Sequence, residues 1–204
     1  MDGTLIDSGD VIVNTINFVR TNIGLDPMDK QTILTNVNNP QTDPAKFFYG
    51  TTIFTDEQTE LFNQYYDKNC IKDITLYDGI KDLLEKLSQN FELSIATNAS
   101  KTFATKMIQY LEIDKYFSMV VGSTCVQNPK PHPDMIKKTL DTLRYSSSDT
   151  VLIGDSYKDK YAAQKAGVDC IIVNWGFTDY KDSTKVVTTP NQILNIFTSR
   201  ANTI

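Results

Sequence analysis

Val151-Leu152-Ile153-Gly154-Asp155-Ser156-Tyr157-Lys158-Asp159 is an apolar run that ends in two acids four residues apart. A short apolar run closed by a glycine reads as a buried strand. Ala162-Ala163-Gln164-Lys165-Ala166-Gly167 follows, and reads as a helix with a glycine stop. The same order of strand, polar loop and helix recurs upstream. Leu93 to Ala96 is a second buried-type strand, and Ser100 caps a helix carrying Phe103, Ala104, Met107, Ile108 and Leu111. Met119 to Val121 and Cys170 to Val173 read as further strands. Ile80, Leu83, Leu84 and Leu87 mark one amphipathic helix, and Ile136, Leu140 and Leu143 another. Pro190 opens a last helix through Ile193, Leu194 and Phe197. Strands alternating with helices predict an α/β fold, a doubly wound parallel sheet covered on both faces.

Residues 11–75 break the alternation. Ile12, Ile16, Val19 and Ile23 recur at helical spacing before Pro27 interrupts the chain. Residues 36–44 are turn-rich and read as a loop. A second helix is expected from about Glu57 to Cys70, with Leu61, Phe62, Tyr65 and Tyr66 on one side. The expected organisation is an α/β core of residues 1–10 and 76–204, split by a helical insertion of residues 11–75. Phe47, Phe48, Tyr49, Tyr65 and Tyr66 are expected in its core rather than around a substrate.

The chain has 204 residues, suited to one domain plus a small insertion. Its hydrophobic content of 40% supports a core. A net charge of −5, spread along the chain, argues against nucleic acid or a membrane surface as partner. Cys70, Cys125 and Cys170 are far apart and odd in number, which fits free thiols in a reducing cytoplasm. No apolar stretch approaches the ~20 residues of a membrane span.

In open parallel sheets ligands sit beyond the carboxyl ends of the strands. Thr97 and Asn98 follow one strand, Asp155 and Asp159 another. Lys130 lies in the proline-stiffened loop Asn128-Pro129-Lys130-Pro131-His132-Pro133-Asp134. Asp2 stands before Gly3, which allows a tight turn. Taken singly, each has a plain structural account. Asp155-Ser156 would cap a helix, Thr97-Asn98 and Asp2-Gly3 would form turns, and Lys130 would be a solvated loop lysine. His132, the sole histidine, is expected to be loop structure, and Asp7-Ser8 to cap the first helix of the insertion.

Together the segments say more. Met1-Asp2-Gly3-Thr4-Leu5, Leu93 to Asn98, the Lys130 loop, Val151 to Asp159 and Ala162 to Gly167 occur in the order of one family. They resemble the haloacid dehalogenase-like hydrolase superfamily, and within it the phosphoglycolate phosphatase-like branch, from Asp2 to about Phe177. The resemblance implies a Rossmann-like core whose first loop carries a helical cap. It implies an Mg²⁺-dependent phosphatase acting on a small phosphorylated metabolite through an aspartyl-phosphate. In that scheme Asp2 is the acid/base and Lys130 offsets charge on nucleophile and phosphate. Thr97 offers a hydroxyl and Asn98 a backbone N–H to the phosphate. Asp155 holds the metal, Asp2 and Asp159 complete the metal residues, and Asp159 either holds a metal-bound water or orients Lys130. The family's nucleophilic Asp would stand one residue before Met1. The chain therefore reads as N-terminally truncated, without its first, central strand, and is expected to have little activity as it stands. A phosphomutase uses the same core, and a non-catalytic phosphate- and metal-binding relative would keep the same pocket. Dehalogenation is disfavoured because that branch does not need the acid/base Asp2.

Overall fold

The computed structural model of the protein describes residues 1–177 and 186–201. The chain opens with a tight loop. The Met1 carbonyl accepts from the N–H groups of Thr4, Leu5 and Ile6 at 3.2, 2.8 and 3.1 Å. Strand β1 (Ile6–Asp7) then pairs antiparallel with β2 (Thr75–Leu76), Ile6 opposite Leu76 and Asp7 opposite Thr75. Everything between leaves and returns through this two-stranded stalk.

Between the stalk strands lie four helices: α1 (Gly9–Asn22), α2 (Lys30–Asn38), α3 (Pro44–Tyr49) and α4 (Asp56–Asn69). Sequence periodicity finds α1 and α4. The expected loop at 36–44 is shorter than anticipated, because α2 continues to Asn38 and α3 starts at Pro44. The Asp29 side chain caps α2 through Thr32 N–H, and Asp43 caps α3 through the N–H groups of Ala45 and Lys46. The Asp43 cap thus turns the end of the turn-rich stretch into a helix start. Val13, Ile16, Val19, Ile33, Leu34, Phe48 and Tyr49 form a separate apolar cluster here, with Phe177 packed against it. Tyr66 instead joins the main core, and Phe47 is exposed.

The rest is α/β. Helix α5 (Ile80–Leu87), β3 (Ser94–Ala96), α6 (Lys101–Tyr110), β4 (Met119–Val121), α7 (Asp134–Leu143), β5 (Val151–Gly154), α8 (Tyr157–Ala166), β6 (Asp169–Val173), β7 (Val186–Val187) and α9 (Pro190–Ala201) follow in order. Strands β3 and β4 pair in parallel, as do β5, β6 and β7. Strand β7 has only two residues, too short for its alternation to be seen in the sequence. Period-two alternation divides the side chains. Ile153, Ile171 and Val173 face the main core with α5 and α9, while Leu152 and Cys170 face Ile136 of α7 and Ala162 and Ala163 of α8. Burial on both faces is why these strands read as continuous apolar runs.

The parallel sheet is in two pieces among the described residues. Strands β3 and β5 do not pair with each other. Between them lies a slot of about 1160 Å³, lined by Ile95, Ile153, Leu84, Leu87, Ile136 and Ile193, with Met1 also on its wall.

Candidate active site

Three loops meet at the carboxyl ends of the strands, and the Lys130 loop is pinned there by Asn98. The Asn98 carboxamide oxygen accepts from Lys130 N–H at 3.0 Å, and its amide nitrogen donates to Lys130 C=O at 2.8 Å. Thr97 is buried, and its hydroxyl accepts from Ala99 N–H at 3.2 Å. The backbone N–H of Asn98 donates to no group among the described residues. An unpaired N–H beside a buried hydroxyl at a strand end is suited to receive an oxyanion.

Lys130 and Asp159 form a buried ion pair at 2.6 Å, each side chain 8% exposed. The Lys130 ammonium also donates to Ala96 C=O at 2.7 Å. The other Asp159 oxygen accepts from Ser156 N–H and hydroxyl at 3.2 and 2.6 Å. Ser156 in turn caps α8 through Asp159 N–H, so the capping account of this turn holds for Ser156. Burial works to raise the Asp159 carboxyl, but Lys130, the Met1 amino group and the Ser156 hydroxyl together hold it below its ordinary value. A hydrogen bond to each oxygen makes Asp159 the orienting partner of Lys130. Gly154 is required below it, since a Cβ there would lie 2.4 Å from the Asp159 carboxyl carbon.

Asp155 is 3% exposed and has no Lys, Arg or His within ion-pair distance among the described residues. Thr4 Oγ1 donates to one of its oxygens at 3.1 Å and Asn38 Nδ2 to the other at 3.0 Å. Burial first, then the Asp159 charge, push its pKa up to about 6 against the opposing Met1 amino group, Thr4 and Lys130. Gly3, at φ +71°, presses its backbone against this carboxylate, and a Cβ on it would meet Asp155 Oδ2 at 2.2 Å. A buried hard-oxygen donor without a cationic side-chain partner fits a small divalent cation. No group of three His, Cys, Asp or Glu side chains converges to hold a metal among the described residues. The protein donors available are thus few, which suits an ion that keeps several waters and takes substrate phosphate as ligand.

Asp2 is held by Ser8, whose hydroxyl donates to Asp2 Oδ1 at 2.6 Å. Ser8 occupies the position before α1, yet makes no side-chain cap there, and Asp7 Oδ1 accepts from Gly9 N–H instead. The expected Asp7-Ser8 cap is therefore half right. Capping falls to Asp7, and Ser8 serves Asp2. His132 is exposed, in the Lys130 loop. Asp134 braces that loop through Asn128 N–H and Nδ2 at 3.2 and 3.0 Å.

Sequence reasoning missed Thr4, Ser8, Asn38 and Lys158 as neighbours of the site. Lys158 Nζ donates to Val37 C=O at 2.8 Å. Thr4 and Ser8 flank the Asp2 turn, so closeness in sequence was an available signal. Asn38 lies 117 positions from Asp155, and nothing local announces that contact.

The chain as a whole has relatives among known proteins. Residues 1–173 match the family described as haloacid dehalogenase-like hydrolase. The chain belongs to that family. A phosphoglycolate phosphatase of Photorhabdus laumondii is 29% identical over 211 residues, covering 100% of this chain and 89% of that protein. One from Yersinia pestis is 28% identical over 184 residues, covering 87% and 79%. A haloacid dehalogenase-like family hydrolase of Streptococcus pneumoniae superposes with a TM-score of 0.83 at 28% identity, covering 97% and 95%. The family and its phosphatase members make this chain a phosphoric monoester hydrolase by class. No helix among the described residues is long and apolar enough to cross a membrane.

Proposed function

We propose that this protein is an Mg²⁺-dependent phosphatase of small phosphorylated metabolites, phosphoglycolate-like in substrate. The observation that supports it most is the buried Lys130–Asp159 pair together with the buried Asp155 carboxylate, which has no Lys, Arg or His within ion-pair distance among the described residues. A phosphoryl group carries its transition-state charge on equatorial oxygens, so catalysis is chiefly positioning and charge neutralisation. Lys130, the Thr97 hydroxyl and the Asn98 N–H bind and neutralise those oxygens. Asp155, with Asp2, holds the ion, which supplies further neutralisation when bound. Asp159 keeps Lys130 aimed by its 2.6 Å contact. Asp2, oriented by Ser8, gives a proton to the leaving oxygen and takes one from the incoming water. The helices of residues 11–75 act as a cap on the β1–β2 stalk, with residues 1–10 and 76–204 as the core. Within that core, residues 178–185 and 202–204 lie outside the described residues. The reaction takes place in the cytoplasm, with no nucleic acid or membrane as partner.

The scheme calls for a carboxylate nucleophile at the end of an apolar strand, and the slot between β3 and β5 is where such a strand fits. The slot's apolar lining and the position of Met1 on its wall support that placement. Without such a strand the 204-residue polypeptide should hydrolyse an aryl phosphate at well under the roughly 1 s⁻¹ usual for enzymes. A polypeptide extended by an apolar strand, with Asp two positions before Asp2, should turn over. Asp2→Asn in that form should lower the rate by about 10²–10⁴ on substrates with poor leaving groups. Fast turnover by the 204-residue chain would sink the nucleophile assignment, and full activity of Asp2→Asn the acid/base assignment.

A further inference from the structure

The segment that leaves β6 lies against the turn that carries Asp2. Gly154 pairs with Ile172, so Asp155 and residues 174–176 leave neighbouring strands at one edge. Asn174 N–H donates to Val187 C=O at 2.9 Å, which ties the segment to β7. The Trp175 indole N–H donates to Thr4 C=O at 3.0 Å. Thr4 in turn donates through its hydroxyl to Asp155 Oδ1 at 3.1 Å. Gly176 comes closer still. A Cβ there would stand 2.0 Å from the Gly3 carbonyl oxygen and 3.0 Å from Asp155 Oδ2.

A part-buried indole N–H needs an acceptor, so a bond to a nearby carbonyl has a plain packing use. That use does not account for which carbonyl is taken. Thr4 is the residue whose hydroxyl bonds Asp155, and it lies two positions after Asp2. The turn is closed from within by three N–H groups on the Met1 carbonyl. Those bonds fix its shape and leave its place relative to Asp155 open. Contacts to other elements fix the place. Tyr77 N–H donates to Leu5 C=O at 3.1 Å on the side of the stalk, and Trp175 holds Thr4 on the side of β6. Gly176 then backs the turn at Gly3, where no side chain would fit.

We infer that Trp175 is a positioning residue for the cation site: its indole N–H holds the Thr4 peptide so that the Asp2 turn and the Asp155 carboxylate keep one fixed relation. The inference rests on the reading of Asp2 and Asp155 as metal donors. Trp175 acts through Thr4 and has no contact with substrate or ion in this scheme. Mg²⁺ demands near-ideal octahedral geometry, so a small shift of one carboxylate is felt in its affinity. The phosphate side does not depend on this bond. Asn98 and Lys130 are held by each other, by Asp159 and by Ala96 C=O.

The test needs binding only. The chain has one tryptophan, so an analogue supplied during expression enters at position 175 alone. Two analogues separate the hydrogen bond from the packing. 7-Azatryptophan keeps the N–H donor, and the benzothiophene analogue keeps the ring shape with sulfur in place of N–H. Mg²⁺ and, in its absence, inorganic phosphate are titrated by calorimetry into each form of the 204-residue chain. The benzothiophene form should bind Mg²⁺ about 3–10-fold more weakly than the wild type, the range of one net hydrogen bond. The 7-azatryptophan form should stay within about twofold of the wild type, since it keeps that bond. Phosphate affinity should be the same in all three. Trp175→Phe should weaken Mg²⁺ at least as much as the benzothiophene form does. Should no altered form fold, the wild-type indole N–H proton decides by NMR. It should exchange slowly with solvent, and shift with Mg²⁺ but not with potassium chloride of equal ionic strength. Free exchange or an unmoved resonance overturns the inference. Equal Mg²⁺ affinity in the wild-type and benzothiophene forms also overturns it, and leaves the cation site standing. Parallel weakening of Mg²⁺ and phosphate overturns it too, since that marks general loosening. Absence of phosphate binding overturns the phosphate side of the site and leaves the Mg²⁺ comparison to decide. A wild type that binds no Mg²⁺ overturns the cation site and this inference together.

Discussion

The strand-end loops and the helical insertion hold their charged groups in opposite ways. At the strand ends, Lys130 and Asp159 are paired inside the protein, and Asp155 is buried without a cationic side chain among the described residues. Among the helices, Lys30 of α2 pairs with Asp10 of α1 at 2.8 Å with both side chains more than half exposed. The insertion spends its order on an apolar cluster of its own, from Val13 to Tyr49. Buried charge is costly unless each partner is satisfied, whereas an exposed pair is screened and worth little. The contrast locates strain: the edge of the sheet accepts an electrostatic cost that the insertion avoids, as expected where charge must be handled chemically.

Removing one partner of each pair tests that contrast most strongly. Lys130→Met leaves Asp159 buried and uncompensated, and should destabilise the protein by about 3–5 kcal/mol. Lys30→Met should change stability by less than about 0.5 kcal/mol. Urea unfolding at pH 7 measures both. Similar midpoint shifts for the two variants would mean that the Lys130–Asp159 pair is effectively solvated and the contrast is false.

The asymmetry between the two regions also governs what could be read in the sequence. Strands β3, β4, β5 and β6 were legible because burial on both faces writes an apolar run, and the candidate residues follow those runs. Ser100 capping α6 through Phe103 N–H at 3.3 Å and Gly167 ending α8 at φ +72° are local signals, and both were read. Helix α3 was missed because its signal is one Asp cap and six residues, which turn residues obscure. The Asn38–Asp155 and Lys158–Val37 hydrogen bonds depend on how the end of α2 docks onto the core, and no local pattern encodes a contact across more than a hundred residues. Ser8 was misassigned because a serine before a helix has two uses, and only the fold shows which one it takes.

A second test sharpens the comparison through pH. The Asp155 carboxyl is pushed up to about 6 from 3.8, chiefly by burial. The folded state therefore binds its proton more tightly than the unfolded chain does. Between those values stability falls as pH rises, and above about 6 the full penalty of the buried charge is present. Asp155→Asn cannot ionise. Without Mg²⁺ it should be more stable than the wild type at pH 7.5 by up to about 3 kcal/mol, at 1.36 kcal/mol per pKa unit. The gain should shrink as pH falls below 6 and vanish below about 4. Mg²⁺ should raise the wild-type melting temperature more at pH 7.5 than at pH 5, because protons compete for the same carboxylate. It should not raise that of Asp155→Asn, while Asp141→Asn, an exposed acid on α7, should respond as the wild type does. Destabilisation of Asp155→Asn at pH 7.5 would show that the Thr4 and Asn38 hydrogen bonds outweigh desolvation there.

The smallest effect concerns the hinge between the two regions. Ser8 is 1% exposed and joins the entrance of α1 to Asp2 through its 2.6 Å hydrogen bond. It stands at the entrance to the insertion's first helix and belongs to the site by contact. Removing the hydroxyl leaves no cavity of consequence and does not uncap α1, since Asp7 accepts from Gly9 N–H. What is lost is one charge-assisted bond to a part-buried carboxylate. Ser8→Ala should therefore cost about 1.5–3 kcal/mol in urea unfolding. Ser8→Thr, which keeps the donor, should recover most of that. Ser100→Ala at α6 makes the matching control, because there the serine is a true cap and its loss should cost about 1 kcal/mol through the helix alone. Raising the pH from 7 to 9 should leave all three differences unchanged, since neither hydroxyl titrates. If Ser8→Ala proves silent while Ser100→Ala does not, the Asp2–Ser8 bond carries no net free energy. The orientation of Asp2 would then rest on the Met1 carbonyl loop alone.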